Sequence, residues 1–345
     1  MKKVLITGSA GFIGFHLSKA LLDEGYTVIG YDGMSDYYDV KLKYRRHEIL
    51  KQRSGFSCTE GLLEDYDLLA RLCEQEKPEV IVHLAAQAGV RYSLENPRAY
   101  LDSNLTGTFN VLECAKHADV EHLLMASTSS VYGSNTKMPY EETDKADTPL
   151  SFYAATKKAN EAMSHSYAHL WQIPTTLFRF FTVYGAWGRP DMALYKFTQR
   201  IMNDEPIDIY NHGEMYRDFT YVADLVRGIR LLMDQRPPQV SARACWKPVP
   251  GDSLSDAAPW RVVNIGNNEK IKLIDFVDAI EKECGRPAIR NYMDIQLGDV
   301  PATWADASLL HALTGYAPQT PFEDGIRDFV QWYKDYYAPA EAAVR

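Results

Sequence analysis

Near its N-terminus the chain runs Val4-Leu5-Ile6-Thr7, then Gly8-Ser9-Ala10-Gly11-Phe12-Ile13-Gly14, then a helical pattern through Leu17, Leu21 and Leu22. Gly25-Tyr26 ends that pattern, and Thr27-Val28-Ile29-Gly30-Tyr31 closes on Asp32. Strand, glycine turn, helix, strand and acid in that order leave few folds open. Glycines tighten the turn and let backbone amides at a helix N-terminus reach a pyrophosphate. An acid about 20 residues on holds ribose hydroxyls and repels a 2′-phosphate. No arginine directly follows Asp32, so the pattern favours NAD over NADP. The spacing is GxxGxxG rather than GxGxxG, and a glycine turn without a ligand is the bland alternative.

The same alternation continues. The polar, tyrosine-rich stretch from Gly33 to Gly55, with a helix from Val40 to Leu50, is expected to border the cofactor. Phe56 to Gly61 reads as a strand and Asp67 to Glu76 as a helix. Val80-Ile81-Val82-His83-Leu84 is apolar throughout, as central parallel strands are, and ends in the small residues Ala85-Ala86. Pro97 to His117 reads as one helix with Asn104 at its middle, an unfavourable place that implies a structural or catalytic duty. His122 to Ala126 and Pro174 to Phe180 supply further strands. Alternating strands and helices mean an α/β protein with a doubly wound parallel sheet. Beyond Thr182 the pattern loosens. Pro237 to Pro259 reads as a surface insertion, and Arg261 to Ile265, a helix from Leu273 to Cys284 and a helix from Phe322 to Tyr337 follow. The end, Ala338 to Arg345, is expected to fray.

Between two of these strands lies Tyr153-Ala154-Ala155-Thr156-Lys157. A tyrosine and a lysine four apart share one helix face. A free phenol titrates near about pH 10 and is a poor base at neutrality. A neighbouring ammonium, and further a bound nicotinamide cation, favours the phenolate. Such a pair takes a proton from a sugar or alcohol hydroxyl during oxidation. The spacing alone also occurs on ordinary surface helices.

The net charge of −9 and the lack of any long basic run argue against a nucleic-acid partner. Cys58, Cys73, Cys114, Cys245 and Cys284 are scattered without a CxxC, which reads as reduced thiols in a cytoplasm. The start lacks the pattern of a signal peptide, and no apolar run is long enough to cross a bilayer. His165 and His169 have a metal-capable spacing but no third ligand, so no metal is expected and a helix surface or dimer face is.

Together these residues resemble the extended short-chain dehydrogenase/reductase family, and within it the nucleotide-sugar epimerases. The glycine turn, Leu84-Ala85-Ala86, Ser127-Thr128 before Val131-Tyr132-Gly133, Tyr153 with Lys157, and Arg217-Asp218-Phe219-Thr220 occur in the family's order. The UDP-glucuronate 4-epimerases are more similar still. The segments that carry this are Ala85 to Ser93, Phe181-Thr182-Val183-Tyr184-Gly185, Trp187 to Ala193, and Gly298-Asp299-Val300-Pro301-Ala302-Thr303.

The resemblance implies a Rossmann-type NAD domain over residues 1–182 with a return from about 215–236. A smaller α/β domain, mainly 183–345, would bind the UDP-sugar. It implies Tyr153 as base, Lys157 lowering its pKa and holding the nicotinamide ribose, and Thr128 bonding to the sugar 4-oxygen. Cofactor contacts would come from Gly8, Gly11, Phe12, Ile13, Gly14, Asp32, Leu63, Leu84, Ala85, Ala86, Asn104, Tyr153 and Lys157, with Asn104 orienting Lys157 through a water. Substrate contacts would come from Gln87, Arg91, Thr128, Ser129, Ser130, Thr182, Arg189, Arg217 and Asp299. Arg217 would hold the diphosphate. A 4-keto uronate is a β-keto acid that loses carbon dioxide unless its carboxylate is fixed. Thr182, Arg189, Ser129 and Ser130 are the candidates to fix it, Arg189 because its fork binds a carboxylate bidentately, with a surface ion pair as the bland alternative. A homodimer through the Tyr100–Lys116 and Tyr153–Leu170 helices is implied as well.

Related 4,6-dehydratases resemble Thr-Asp-Glu after the threonine, and related decarboxylases keep the glutamate. Here Ser129 and Ser130 stand in both places. A neutral UDP-sugar 4-epimerase, a decarboxylase and a non-catalytic NAD-binding regulator stay open as alternatives. Three positions depart from the family pattern: Leu62 for an aspartate facing adenine, with Asp65 nearby, and Ala186 and Leu297 for prolines.

Overall fold

The computed structural model describes residues 2–247, 249–296 and 299–342, and only the backbone of Ala244, Cys245 and residues 338–342. Leu297 and Gly298, two of the positions compared above, lie outside the described residues, as does the side chain of Cys245. Cys58, Cys73, Cys114 and Cys284 are free thiols.

The first half alternates as its pattern demands. In chain order it comprises β1 (Lys3–Thr7), α1 (Phe12–Asp23), β2 (Thr27–Asp32), α2 (Val40–Lys51), β3 (Phe56–Glu60), α3 (Tyr66–Glu76) and β4 (Val80–His83). Then come α4 (Tyr92–Glu95), α5 (Pro97–Tyr100), α6 (Gly107–His117), β5 (His122–Thr128), α7 (Phe152–Trp171) and β6 (Thr175–Phe180). After these follow β7 (Thr182–Tyr184), α8 (Ala193–Met202), β8 (Pro206–Tyr210), β9 (Tyr216–Arg217), β10 (Phe219–Tyr221) and α9 (Val222–Leu232). The chain continues with β11 (Trp260–Ile265), β12 (Ile271–Lys272), α10 (Leu273–Cys284), β13 (Ile289–Met293), β14 (Ala302–Thr303), α11 (Ser308–Thr314) and α12 (Phe322–Ala342).

Seven parallel strands form the main sheet in the order β11-β6-β5-β4-β1-β2-β3. The order reverses between β1 and β4, and at such a switch point a crevice opens beyond the strand ends. Because strand side chains alternate, each strand serves two cores. Val4, Ile6, Val28 and Val82 pack with Leu17 and Leu21 of α1, Leu225 and Ile229 of α9 and Leu310 of α11. Leu5, Ile29, Ile81 and Leu123 pack on the other face with Leu69 of α3 and Val111 and Leu112 of α6. A third core joins α8, α10 and α12 around Phe219 and Phe276, whose rings stack 3.9 Å apart.

Three departures from the sequence reading are structural. The return to the main sheet is larger than residues 215–236, because β11 is its seventh strand and α11 packs beneath it. The helix from Pro97 to His117 carries a π-helical segment at Leu101–Thr106, with Asn104 inside it. The last helix runs on to Ala342, past Tyr337, and residues 343–345 of the end expected to fray lie outside the described residues.

The insertion also folds back on α7. His165 Nε2 pairs with Ser255 Oγ at 2.7 Å, and His169 Nδ1 donates to the Ala257 carbonyl at 2.6 Å. His169 is exposed on the helix surface and His165 half-buried, and each is hydrogen-bonded to the insertion. Among the described residues no three His, Cys, Asp or Glu side chains cluster as metal ligands.

Candidate active site

A cavity of about 280 Å3 occupies the crevice. Its floor is the glycine turn. Gly8 takes a left-handed φ of 77° and its amide donates to the Tyr31 carbonyl. A Cβ on Gly14 would meet the Gly8 carbonyl oxygen at 2.0 Å, so only glycine fits. Gly11 caps α1 without any side-chain acceptor, and the first turn carries no acid. The α1 N-terminus therefore turns unsatisfied amides and positive potential toward the crevice, the setting a pyrophosphate requires. Asp32 is buried at the end of β2. Its Oδ2 accepts from the Ala10 amide and its Oδ1 from the Met34 amide, both at 2.9 Å. Each oxygen keeps a further lone pair for a ribose hydroxyl.

Leu63, Leu84, Ala85, Ala86 and Gln87 line the same cavity with Gly8, Gly11, Phe12, Ile13, Gly14 and Asp32. So do Tyr37, Tyr38 and Lys43, from the tyrosine-rich stretch expected to border it. Leu62 also reaches the cavity, and its Cδ2 packs over the Gly33 Cα. Asp65 does not line the cavity, and its Oδ1 caps α3 by accepting from the Leu68 amide at 3.0 Å.

At the other end stand Thr128, Tyr153, Lys157 and Arg189. Ser151 caps α7 by accepting from the Ala154 amide at 3.2 Å, which starts the helix one residue before Tyr153. The Tyr100 ring packs edge-on against Tyr153 with centroids 6.0 Å apart. Burial raises the Tyr153 pKa above its usual value, while the Thr128 hydroxyl and the Arg189 charge act to lower it. The net shift is upward, because desolvation of the phenolate outweighs these neighbours. Lys157 is itself pushed down to about 8 by burial, with Glu161 opposing.

Asn104 does not line the cavity. Its Oδ1 accepts from the Gln87 amide at 2.8 Å, and its Nδ2 donates to the Gln87 carbonyl and to Thr156 Oγ1, each at 3.0 Å. It thus ties the loop after β4 to α7, through one bond to Thr156, the residue before Lys157.

The carboxylate candidates are split. Arg189 lines the cavity, but its Nε and Nη2 are held by Asp191 at 2.9 and 2.5 Å, and Tyr37 donates to the same carboxylate at 3.2 Å. The Nε/Nη2 edge of the fork is thus engaged within the chain, and its Nη1/Nη2 edge is not. Thr182 lines a smaller adjoining cavity that shares Arg189 and Met192. Ser129 and Ser130 form the turn after β5, with the Ser130 amide donating to Thr128 Oγ1 at 3.2 Å. Arg91, Arg217 and Asp299 form a separate group. Arg91 pairs with Asp299 at 2.9 Å and lies over the Tyr210 ring, and Arg217, lowered by burial, feels the Asp299 charge. Asp191, Tyr37 and Tyr100 were missed by sequence reasoning. Only the two-residue spacing of Arg189 and Asp191 hinted at their pairing.

A doubly wound sheet with an uncapped glycine turn and a Tyr–Lys pair in one crevice defines a dinucleotide-dependent enzyme of the short-chain dehydrogenase/reductase type. Residues 4–242 match the NAD dependent epimerase/dehydratase family, and the chain belongs to it. It is 55% identical over 342 residues to a probable UDP-glucuronate 4-epimerase of Rhizobium meliloti (strain 1021), covering 99% of this chain and 100% of that protein. It is 43% identical to UDP-glucuronate 4-epimerase 1 of Arabidopsis thaliana, covering 97% of this chain and 77% of the plant protein. The crystal structure of the UDP-glucuronic acid 4-epimerase of Bacillus cereus, with UDP-glucuronic acid and NAD, superposes with a TM-score of 0.85 at 32% identity. That match covers 97% of this chain and 100% of the other.

Proposed function

We propose that the protein is an NAD-dependent isomerase that interconverts UDP-glucuronate and UDP-galacturonate by epimerisation at C4. The observation that carries this reading is one cavity joining the glycine turn to Thr128, Tyr153 and Lys157, with serines rather than acids at 129 and 130. When bound, NAD supplies reversible two-electron oxidation at C4. Gly8, Gly11, Gly14 and Asp32 hold it, with Leu63, Leu84, Ala85 and Ala86 along its length.

Tyr153 as phenolate takes the proton of the sugar 4-hydroxyl and returns it after the 4-keto sugar has turned over in the site. Thr128 bonds to the same oxygen. Lys157, as an ammonium, favours the phenolate. Arg217, with Arg91 and Asp299, anchors the nucleotide while the sugar swings. Thr182, Ser129, Ser130 and the part of Arg189 not held by Asp191 fix the uronate carboxylate and keep its C5 bond out of line with the ketone. In this reading residues 1–182, the return segment, β11 and α11 serve the cofactor, and the remainder of 183–345 serves the UDP-sugar.

The same reading makes the protein a cytoplasmic homodimer that supplies a polysaccharide precursor. Exposed Leu101 and Phe109 before and on α6, and Leu170 and Trp171 on α7, support a helical dimer face. Among the described residues no helix is long and apolar enough to cross a membrane. Light scattering on the purified protein and on a Phe109→Glu variant tests the dimer: a monomer for the unaltered chain rejects it.

The activity is tested by incubating the purified protein with UDP-glucuronate, with and without added NAD, and identifying products by NMR. UDP-galacturonate at a near-equal amount supports the reading. UDP-pentose and carbon dioxide mean decarboxylation, and conversion of UDP-galactose alone means a neutral-sugar epimerase.

A further inference from the structure

Behind the proton-transfer residues lies a buried charged pair with no part in the chemistry described so far. Glu161 is 2% exposed and Arg179 3%. Arg179 Nε donates to Glu161 Oε1 and Nη2 to Oε2, each at 2.9 Å. Ser127 Oγ donates to Oε1 at 2.7 Å, and Lys158 Nζ to Oε2 at 2.9 Å. Arg179 also lies 4.7 Å over the Tyr132 ring and donates to the Glu142 carbonyl at 3.2 Å. Buried ion pairs seldom add stability over apolar groups of equal volume, so the pair's position calls for another reason.

That position is specific. Glu161 follows Lys157 by one helical turn, as Lys157 follows Tyr153. Ser127 directly precedes Thr128 on β5, and Arg179 stands on β6. One carboxylate thus bonds to the strand that carries Thr128 and sits on the helix that carries Tyr153 and Lys157. It is also the anion nearest in sequence to an ammonium that is 2% exposed. Burial by itself drives such an ammonium to give up its proton.

We infer that the Glu161–Arg179 pair is a positioning device: Glu161 clamps Ser127, and so Thr128, against α7 and keeps Lys157 an ammonium. The other groups around Lys157 cannot do this. Tyr153, on the same helix, is neutral until it acts. His83 at the end of β4 is buried and neutral, with its ring nitrogens bonded to Thr7 and Thr108. Arg189, which acts on Tyr153, is a cation. From β5 come only the Ser127 and Thr128 hydroxyls.

The inference rests on the epimerase reading for its catalytic meaning but not for its test. Protein labelled with 13C at the lysine Cε is titrated by NMR, with Lys157→Met identifying the resonance. Glu161→Gln keeps an acceptor for Ser127 and removes the charge. Because it leaves Arg179 buried and unpaired, Glu161→Gln/Arg179→Met is measured beside it. In the unaltered protein the Lys157 midpoint is expected near the value of about 8 that burial sets. In both variants it should fall, further in Glu161→Gln, where the Arg179 charge is left unopposed, and the basic limb of kcat should move with it while KM changes less than twofold. An unmoved midpoint in the double variant, or a kcat loss uniform across pH, overturns the inference. A shifted lysine in a protein that never turns over UDP-glucuronate supports the positioning role and rejects the substrate reading alone.

Discussion

Arg189, which lines the same cavity as Tyr153, and Asp191 hold each other by two parallel hydrogen bonds. The pairing takes one edge of the guanidinium, the N–H of Nε and one N–H of Nη2. Among the described residues the second Nη2 N–H and the two on Nη1 carry no hydrogen bond, which leaves donors for a substrate carboxylate. One charge-assisted hydrogen bond is worth about 1.5 kcal/mol or somewhat more, roughly tenfold. Arg189→Ala should therefore slow turnover of UDP-glucuronate about tenfold while affecting UDP-galactose by less than threefold. Steady-state kinetics on both sugars check this, and equal losses would remove Arg189 from carboxylate recognition.

Tyr153→Phe should lower kcat by about 10³-fold, within the span of general acid–base catalysis. The phenol is one wall of a cavity whose glycine turn is remote from it, so NAD affinity measured by calorimetry should stay within threefold. Thr128→Val removes the hydroxyl that favours the phenolate at similar size, and kcat should drop most at low pH. Unchanged turnover in Tyr153→Phe would sink the proton-transfer assignment.

Gly14→Ala puts a Cβ 2.0 Å from the Gly8 carbonyl oxygen, a backbone atom that cannot step aside. Loss of measurable NAD binding and a lower Tm are expected. Gly228→Ala is the contrast. Within α9 its Cβ would meet Ile265 and Leu310 at 3.6 Å, ordinary contact, so the lower backbone entropy of alanine should raise stability by about 0.5–1 kcal/mol. Thermal unfolding of the two variants decides, and a destabilised Gly228→Ala would contradict the packing.

His83 and His122 are buried with both ring nitrogens bonded, and burial lowers each pKa to about 3. Their unfolded value is about 6.5. Below that pH the unfolded chain binds protons that the native protein refuses until about pH 3. The stability these neutral rings contribute is therefore present above about pH 6.5 and lost as pH falls. Two such protons give a slope approaching about 2.7 kcal/mol per pH unit midway. Urea unfolding should show a much lower midpoint at pH 5 than at pH 7, and a His122→Gln variant should show a shallower fall. Equal midpoints at the two pH values would mean that the rings are protonated in the native state.

Much of this protein is written in local order. The strand–glycine–helix–strand–acid run dictates β1, α1 and β2, because backbone strain at Gly8 and Gly14 and the periods of strand and helix are properties of neighbouring residues. The four-residue spacing of Tyr153 and Lys157 places them on one helix face for the same reason. Folding alone decided what depends on distant partners. Arg261 to Ile265 was legible as a further element, but only its pairing with β6 makes it the seventh strand. Asn104 looked misplaced in a helix until Gln87 and Thr156 came within reach of its amide. His165 and His169 meet Ser255 and Ala257, 90 and 88 positions away, which no helical spacing encodes. The Tyr153 pKa follows the same division. Lys157 is close in sequence and suggested a lowered value, but the cost of burying a phenolate depends on everything packed around it, and only the tertiary structure sets that.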